Sequence, residues 1–361
     1  MSSATCAYVP TATAAAAAAL GTAQIPEVVV TPSPSGGAVH VLLERQKKLN
    51  ALSHPMIGGL VAGFERAKQG GCSVLLMEGA GRAFCAGGDV AAVRAASLEV
   101  LGADAGCTAV PKGTLPYDFF HDEYAMNALV GAADATAQVS IWDGVTMGGG
   151  VGLSVHGRYR VATEKTLMAK PETKIGLFPD VGGSYMLSRL PRNLGYYAGL
   201  TGARLRAADL MYAGIATHAL PSDAVEGLRA KLLAMPPGQP AESVGAILDA
   251  ACAAAPLELE TSQLETNGGV IERCFGGGHS VEGIVERLQA DGGEFALVTA
   301  QTLAQLSPTS LKLTHELIRR AEAGSLSLNA CLNSEFRVCQ RLVSTRGGDF
   351  FEGVRAVIIS S

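Results

Sequence analysis

The sequence predicts an α/β protein with parallel strands and a mainly helical C-terminal region. Three observations lead there. The order strand, glycine-rich loop, helix recurs between Val39 and His156; two further strand-like pieces follow it; and helical periodicity dominates after Gly183. In such folds the loops leave the strand ends on one side, so ligand chemistry should gather there.

The first unit is the apolar run Val39 to Leu43, which ends at the polar Glu44-Arg45-Gln46-Lys47-Lys48. Ser53 and Pro55 then open a helix with Met56, Leu60 and Phe64 at helical spacing. The second is a buried-type strand from Ser73 to Glu78, a glycine-punctuated stretch from Gly79 to Gly88, and an alanine-rich helix from Asp89. The third runs from Val139-Ser140-Ile141-Trp142 through Gly144 into Gly148-Gly149-Gly150 and a small-residue helix ending near His156.

Tyr159 to Ala162 and Thr166 to Ala169 read as strands before a loop from Pro171 to Gly183. Pro236-Pro237-Gly238-Gln239-Pro240 reads as a surface linker. Ser307 and Pro308 fit an N-cap and first turn, and Leu328, Leu332, Phe336, Cys339 and Val343 give a late helix an apolar stripe suited to core or subunit contact.

Composition narrows the class. A 48% hydrophobic content over 361 residues can fill a sizeable core, and 28 basic against 33 acidic residues lack the basic excess of a nucleic-acid binder. An anionic partner must therefore be met by a local basic patch. The 8 cysteines are scattered without a CxxC pair and read as reduced thiols of an intracellular protein. No HxxxH or similar spacing occurs, and no metal is expected.

Residues 1 to 24 carry no Lys, Arg, Asp or Glu, and a Pro/Ser/Gly stretch runs from Thr31 to Gly37. The predicted division is a disordered Ala/Pro-rich leader (1–37), a core with the site (38–235) and a helical region packing on it (236–361). The leader lacks the Arg-rich character of a transit peptide and the apolar length of a membrane span.

Three segments carry the strongest chemical signal. Arg82-Ala83-Phe84-Cys85-Ala86-Gly87-Gly88-Asp89 is followed about sixty residues later by Asp143-Gly144-Val145-Thr146-Met147-Gly148-Gly149-Gly150-Val151-Gly152-Leu153-Ser154, and then by Pro171-Glu172-Thr173-Lys174-Ile175-Gly176-Leu177-Phe178-Pro179-Asp180-Val181-Gly182-Gly183. The first two resemble the paired oxyanion-hole motifs of the crotonase superfamily. The third narrows the resemblance to its 3-hydroxyisobutyryl-CoA hydrolase branch, with similarity of pattern from about Val39 to Ile359. A lone glycine loop would be a turn former as readily as a ligand cradle; two such loops with this continuation are specific.

The resemblance implies a crotonase-like ββα spiral core and hydrolysis of an acyl-CoA thioester, with coenzyme A part of the substrate and no separate cofactor. It places backbone N–H donors for the oxyanion at Gly88 and Gly149, and Glu172 and Asp180 facing the thioester. Glu172 is then the general base for water or a nucleophile forming a mixed anhydride; the sequence leaves both open. Taken alone, these two carboxylates would read as solvated loop charges.

Glu123, in Phe119-Phe120-His121-Asp122-Glu123-Tyr124, lies where the branch meets the substrate's 3-hydroxyl, with a helix-surface salt bridge as the rival reading. For the CoA handle the resemblance points to Lys47, Lys48, Leu49 and Ala51, together with Ala86 and Gly87.

Enoyl-CoA hydratases carry a first glutamate two residues after the glycine triplet, and here that position is Gly152. Isomerase activity with one carboxylate base, or an inactive binding subunit, are the other readings. Lys170 stands where the branch has an apolar residue, and a cation so near Glu172 should lower its pKa. The resemblance implies valine breakdown in mitochondria, with cytosolic or peroxisomal placement open given the leader. No nucleic acid or membrane is expected as a partner, and a homo-oligomer is compatible with the superfamily.

Overall fold

A computed structural model describes residues 27–103, 108–132, 136–276 and 278–360. Its core is a spiral in which, from the third strand on, successive strands alternate between two sheets. The larger sheet has the order β1-β2-β3-β5-β7-β9 and the smaller β4-β6-β8. The strands of the larger are β1 (Val28–Pro32), β2 (Ala38–Leu43), β3 (Val74–Gly79), β5 (Ala137–Trp142), β7 (Tyr159–Ala162) and β9 (His218–Ala219). Those of the smaller are β4 (Ala83–Cys85), β6 (Val145–Met147) and β8 (Leu167–Ala169). All pairings are parallel except β1 with β2.

Both faces of the larger sheet are covered, which is why its central strands read as continuous apolar runs. Val39, Val41, Leu75 and Met77 point into the main core, while Ala38, Val74, Leu76, Val139 and Val161 pack under Leu228, Leu232, Val244 and Leu248. Those last residues lie on the helices Val225–Leu233 and Ala241–Ala254, on either side of the exposed Pro236–Pro240 turn, so helices from both predicted regions cover one sheet face.

The predicted leader differs from the structure at its end. Val28–Pro32 pairs with β2 in register from Val28↔Leu43 to Pro32↔Val39, and Ser33 N–H donates to the Ala38 carbonyl across the turn. The β-branched run Val28-Val29-Val30-Thr31 suits a strand, and it outweighs the Pro/Ser/Gly signal that follows it. The ordered core therefore begins before residue 38; residues 1–26 lie outside the described residues.

Four helices position the site: α1 (His54–Gln69), α2 (Leu115–Gly131), α3 (Gly149–Val155) and α4 (Leu328–Ser344). The apolar stripe of α4 is core, since Leu332, Cys339 and Val343 are buried and the helix packs on α2. Ser307 caps its helix as expected, accepting from the Ser310 N–H at 3.0 Å.

Candidate active site

The glycine loops after β4 and β6 meet. Gly87 has φ +109° and Gly148 φ +50°, regions that L side chains rarely enter, so glycine is required at both turns. A Cβ on Gly149 would lie 3.3 Å from the Gly88 nitrogen, and one on Gly87 would lie 3.7 Å from the Gly149 nitrogen. Two amides from separate loops thus converge, and neither donates a hydrogen bond among the described residues. Gly150 completes the triplet for a packing reason: its Cβ would fall 2.2 Å from the Cys85 carbonyl oxygen.

Three carboxylates surround this pair, all on buried side chains. Glu123 projects from α2, and the same Gly149 Cβ would sit 2.3 Å from its Oε1, an oxygen with no hydrogen-bond partner. Glu172 opens a short turn, Glu172–Ile175, and its Oε1 would lie 3.8 Å from a Cβ on Gly148. Asp180 accepts from the Tyr124 hydroxyl at 2.8 Å through Oδ2. The helix-surface reading of Glu123 is set aside, because the side chain is buried and makes no ion pair among the described residues.

Lys170 is 2% exposed and lies between two of these groups, its Nζ 2.6 Å from Glu172 Oε1 and 3.7 Å from Asp180 Oδ1. It also donates to the Asp180 carbonyl at 3.0 Å. Burial pushes the Glu172 carboxyl up to about 7; Lys170 opposes that rise without cancelling it, so the net shift is opposite to the one expected from the cation alone. Glu123 is held well above the usual carboxylate range by burial first and by Asp180 second. Lys170 itself stays protonated, because the nearby carboxylates outweigh its burial.

The segment predicted for the CoA handle lies beside the first glycine loop. Leu52 N–H donates to the Gly87 carbonyl at 2.7 Å and Ala86 N–H to the Leu49 carbonyl at 3.0 Å, which sets Leu49 and Ala51 next to Ala86 and Gly87. Leu49 and Asn50 both have positive φ, and the Asn50 amide holds the turn through the Ala80 and Ala83 carbonyls. Lys47 and Lys48 are exposed at this rim.

Some site residues were not read from the sequence. Tyr124 is one. Glu335 on α4 is fully buried and takes the N–H groups of Gly182 and Ser184 at 2.8 and 2.9 Å and the Ser184 hydroxyl at 2.5 Å, clamping the turn after Asp180. The available signal was an acidic residue beside an apolar stripe, four positions from both Cys331 and Cys339. Asn127 is buried with neither amide atom partnered. Gly152 fits its surroundings only as glycine, since its Cβ would lie 2.5 Å from Val181 Cβ and 3.0 Å from Asn127 Nδ2. No cluster of His, Cys, Asp or Glu among the described residues could hold a metal.

Comparison with known proteins gives the family. A family model described as enoyl-CoA hydratase/isomerase matches residues 38–361. The chain belongs to the enoyl-CoA hydratase/isomerase family.

Among curated relatives, the mitochondrial 3-hydroxyisobutyryl-CoA hydrolase of Danio rerio is 42% identical over 327 residues, covering 90% of this chain and 81% of that protein. Its Homo sapiens counterpart is 41% identical over 322 residues, 88% of this chain and 78% of that protein. A carnitinyl-CoA dehydratase structure from Mycobacterium thermoresistibile superposes with a TM-score of 0.78 at 35% identity, over 92% of this chain and 90% of that one. An enoyl-CoA hydratase from Rhodobacter sphaeroides gives 0.76 at 31%, with the same coverage. The crotonase fold of this family member, with its parallel spiral core and C-terminal helices, is the one its sequence predicts.

Proposed function

We propose that the chain hydrolyses short-chain 3-hydroxyacyl-CoA thioesters, with 3-hydroxyisobutyryl-CoA as its substrate, yielding 3-hydroxyisobutyrate and coenzyme A. The observation that carries this reading is the convergence of Glu172, Asp180 and Glu123 on the Gly88 and Gly149 amides, at a site where Gly152 leaves no room for a hydratase's first glutamate. The curated relatives named for this reaction support the choice of acyl group.

The thioester carbonyl oxygen sits between the Gly88 and Gly149 N–H groups, which stabilise charge as it forms there. Glu172 takes a proton from water while the water oxygen bonds to the carbonyl carbon. Collapse of the tetrahedral intermediate then breaks the C–S bond and releases the thiolate. A carboxyl near 7 is suited to this, being ionised in an appreciable fraction at neutral pH yet basic enough to accept the proton. In the alternative route the Glu172 carboxylate attacks the carbonyl carbon and expels the coenzyme A thiolate, and water then cleaves the resulting anhydride, releasing the acid and restoring Glu172. Asp180, oriented by Tyr124, directs water and the leaving group.

Coenzyme A enters as part of the substrate, and its phosphates meet Lys47 and Lys48. One methyl group separates 3-hydroxyisobutyryl-CoA from 3-hydroxypropionyl-CoA, a difference an apolar pocket discriminates by about 1–3 kcal/mol, so the latter is also turned over. The relatives' names favour mitochondrial placement and a role in valine breakdown. The test is thiol release from 3-hydroxyisobutyryl-CoA followed with a thiol reagent. Rapid release is expected; none, beside active double-bond isomerisation of an enoyl-CoA, overturns the reading.

A further inference from the structure

The site concentrates Glu123, Glu172 and Asp180 around one ammonium group. If all three carboxyls were ionised, the buried cluster would carry a net charge of about −2, a state a low-dielectric interior strongly disfavours. A proton must therefore reside on one of them, and the question is which. The geometry separates the candidates. Glu172 touches Lys170 at 2.6 Å, and Asp180 has Lys170 at 3.7 Å and the Tyr124 hydroxyl at 2.8 Å. Glu123 touches no cation, and its Oε1 is buried, unpartnered and beside the two oxyanion-hole glycines.

We propose that Lys170 is a positioning residue that fixes the division of labour among these carboxyls, holding Glu172 as the ionised base or nucleophile and leaving the proton on Glu123, which donates a hydrogen bond at the oxyanion hole. This rests on the hydrolase reading above. An ionised Glu123 beside the Gly149 amide would repel the oxyanion that forms there; a protonated one adds a donor. The same lysine bridges two loops, because its Nζ also reaches the carbonyls of Gly148 at 3.4 Å and Asp180 at 3.0 Å.

Other titratable groups around the cluster do not supply a rival cation. Tyr124 and Cys339 lie behind Asp180, and Cys85 lies beside Glu123; burial raises all three and keeps them neutral. Glu335 on α4 is a further carboxyl, pushed up to about 7 by burial, and supplies no cation. His156, which contacts the Val181 carbonyl, is pushed down to about 4 by burial and is neutral at physiological pH. The direction of the Glu123 shift agrees with the assignment.

The experiment is the pH profile of kcat/KM for thiol release, measured on the full chain and on Lys170→Met and Lys170→Gln. The first replaces the cation by an apolar chain of similar volume. The second keeps a donor for the Gly148 and Asp180 carbonyls, so it removes the charge with less structural change. In both, the acid limb is expected to move up by about one pH unit or more, lowering activity about tenfold on that side for each unit. A limb that stays in place in either folded variant overturns the proposal.

Glu123→Gln tests the proton directly, because an amide can donate where a carboxylate cannot. Its activity is expected to stay closer to wild type than that of Glu123→Ala; equal losses overturn the proposal. Glu172→Gln separates the two levels of the argument. If it retained full thioesterase activity, the hydrolase reading itself would fail. If it is inactive while the lysine variants show an unmoved limb, only the role of Lys170 falls.

Discussion

Replacing Glu335 by alanine should weaken both the fold and the catalytic step, although the side chain is not one of the three carboxylates grouped at the Gly88 and Gly149 amides. Three donors, the N–H groups of Gly182 and Ser184 and the Ser184 hydroxyl, would lose their acceptor in a fully buried place. Leaving a buried donor without its acceptor typically costs about 1–3 kcal/mol for each group. Glu335→Gln keeps the volume and one acceptor oxygen but turns an NH2 toward an N–H, so a loss of about 1–2 kcal/mol is expected.

The pH dependence gives a second readout. Burial pushes the Glu335 carboxyl from 4.5 up to about 7, so the folded state binds its proton more tightly than the unfolded chain. The stabilisation this gives is complete below about pH 4.5 and is lost as pH rises toward 7, amounting to roughly 3 kcal/mol across that window. Urea unfolding of wild type and Glu335→Gln at several pH values isolates it, because the other buried carboxyls contribute equally to both proteins. Wild type should lose more stability than the variant between pH 4.5 and 7. In the assay, Glu335→Ala should lower kcat more than it raises KM, since the clamp holds the turn that delivers Asp180. An unfolding change below about 1 kcal/mol, or parallel pH curves, would refute the reasoning.

Further outcomes follow from the same geometry. Gly149→Ala places a methyl 2.3 Å from Glu123 Oε1 and should cut kcat by about 10²-fold or more in the thiol-release assay, since it disturbs the proposed oxyanion hole. Gly152→Glu should lower the melting temperature and yield no hydration of an enoyl-CoA, because Val181 and Asn127 occupy the space such a side chain needs. Charge reversal at Lys47 and Lys48 together should raise KM for acyl-CoA with little change in kcat. That effect should shrink at high salt, as expected of exposed charges meeting phosphates.

The sequence made the spiral legible because each turn repeats strand, glycine loop and helix, and the buried strands are short apolar runs that a helix would have to extend. Glu172, Asp180, Gly88 and Gly149 were legible through their flanking motifs, and the structure brings all four together with Glu123. What escaped was of two kinds. Val28–Pro32 was hidden by the Pro/Ser/Gly turn behind it, since local turn signals say nothing of pairing with a later strand. Tyr124 and Glu335 act across 56 and 151 positions of chain, and no local pattern encodes such partnerships. Lys170 was visible as a departure and does lower the Glu172 carboxyl as expected, but burial, which periodicity does not quantify, outweighs it and sets the net direction.

The absence of the hydratase glutamate and the presence of Asp180 are one structural event. Val181 is β-branched yet held at φ +53°, a conformation that costs of order 1–3 kcal/mol and persists only where neighbours enforce it. Here they do: His156 Nε2 lies 2.8 Å from the Val181 carbonyl, Glu335 accepts from the N–H groups of Gly182 and Ser184 just after it, and Lys170 holds the Asp180 carbonyl. Turned this way, Val181 drives its side chain into the space above Gly152, where a Cβ would collide at 2.5 Å, and its predecessor Asp180 is aimed at Tyr124 and Lys170. A glutamate at 152 would require Val181 to withdraw, and with it the geometry of Asp180. A side chain at 152 and the present placement of Val181 and Asp180 are therefore sterically exclusive, which supports hydrolysis over hydration as the proposed chemistry.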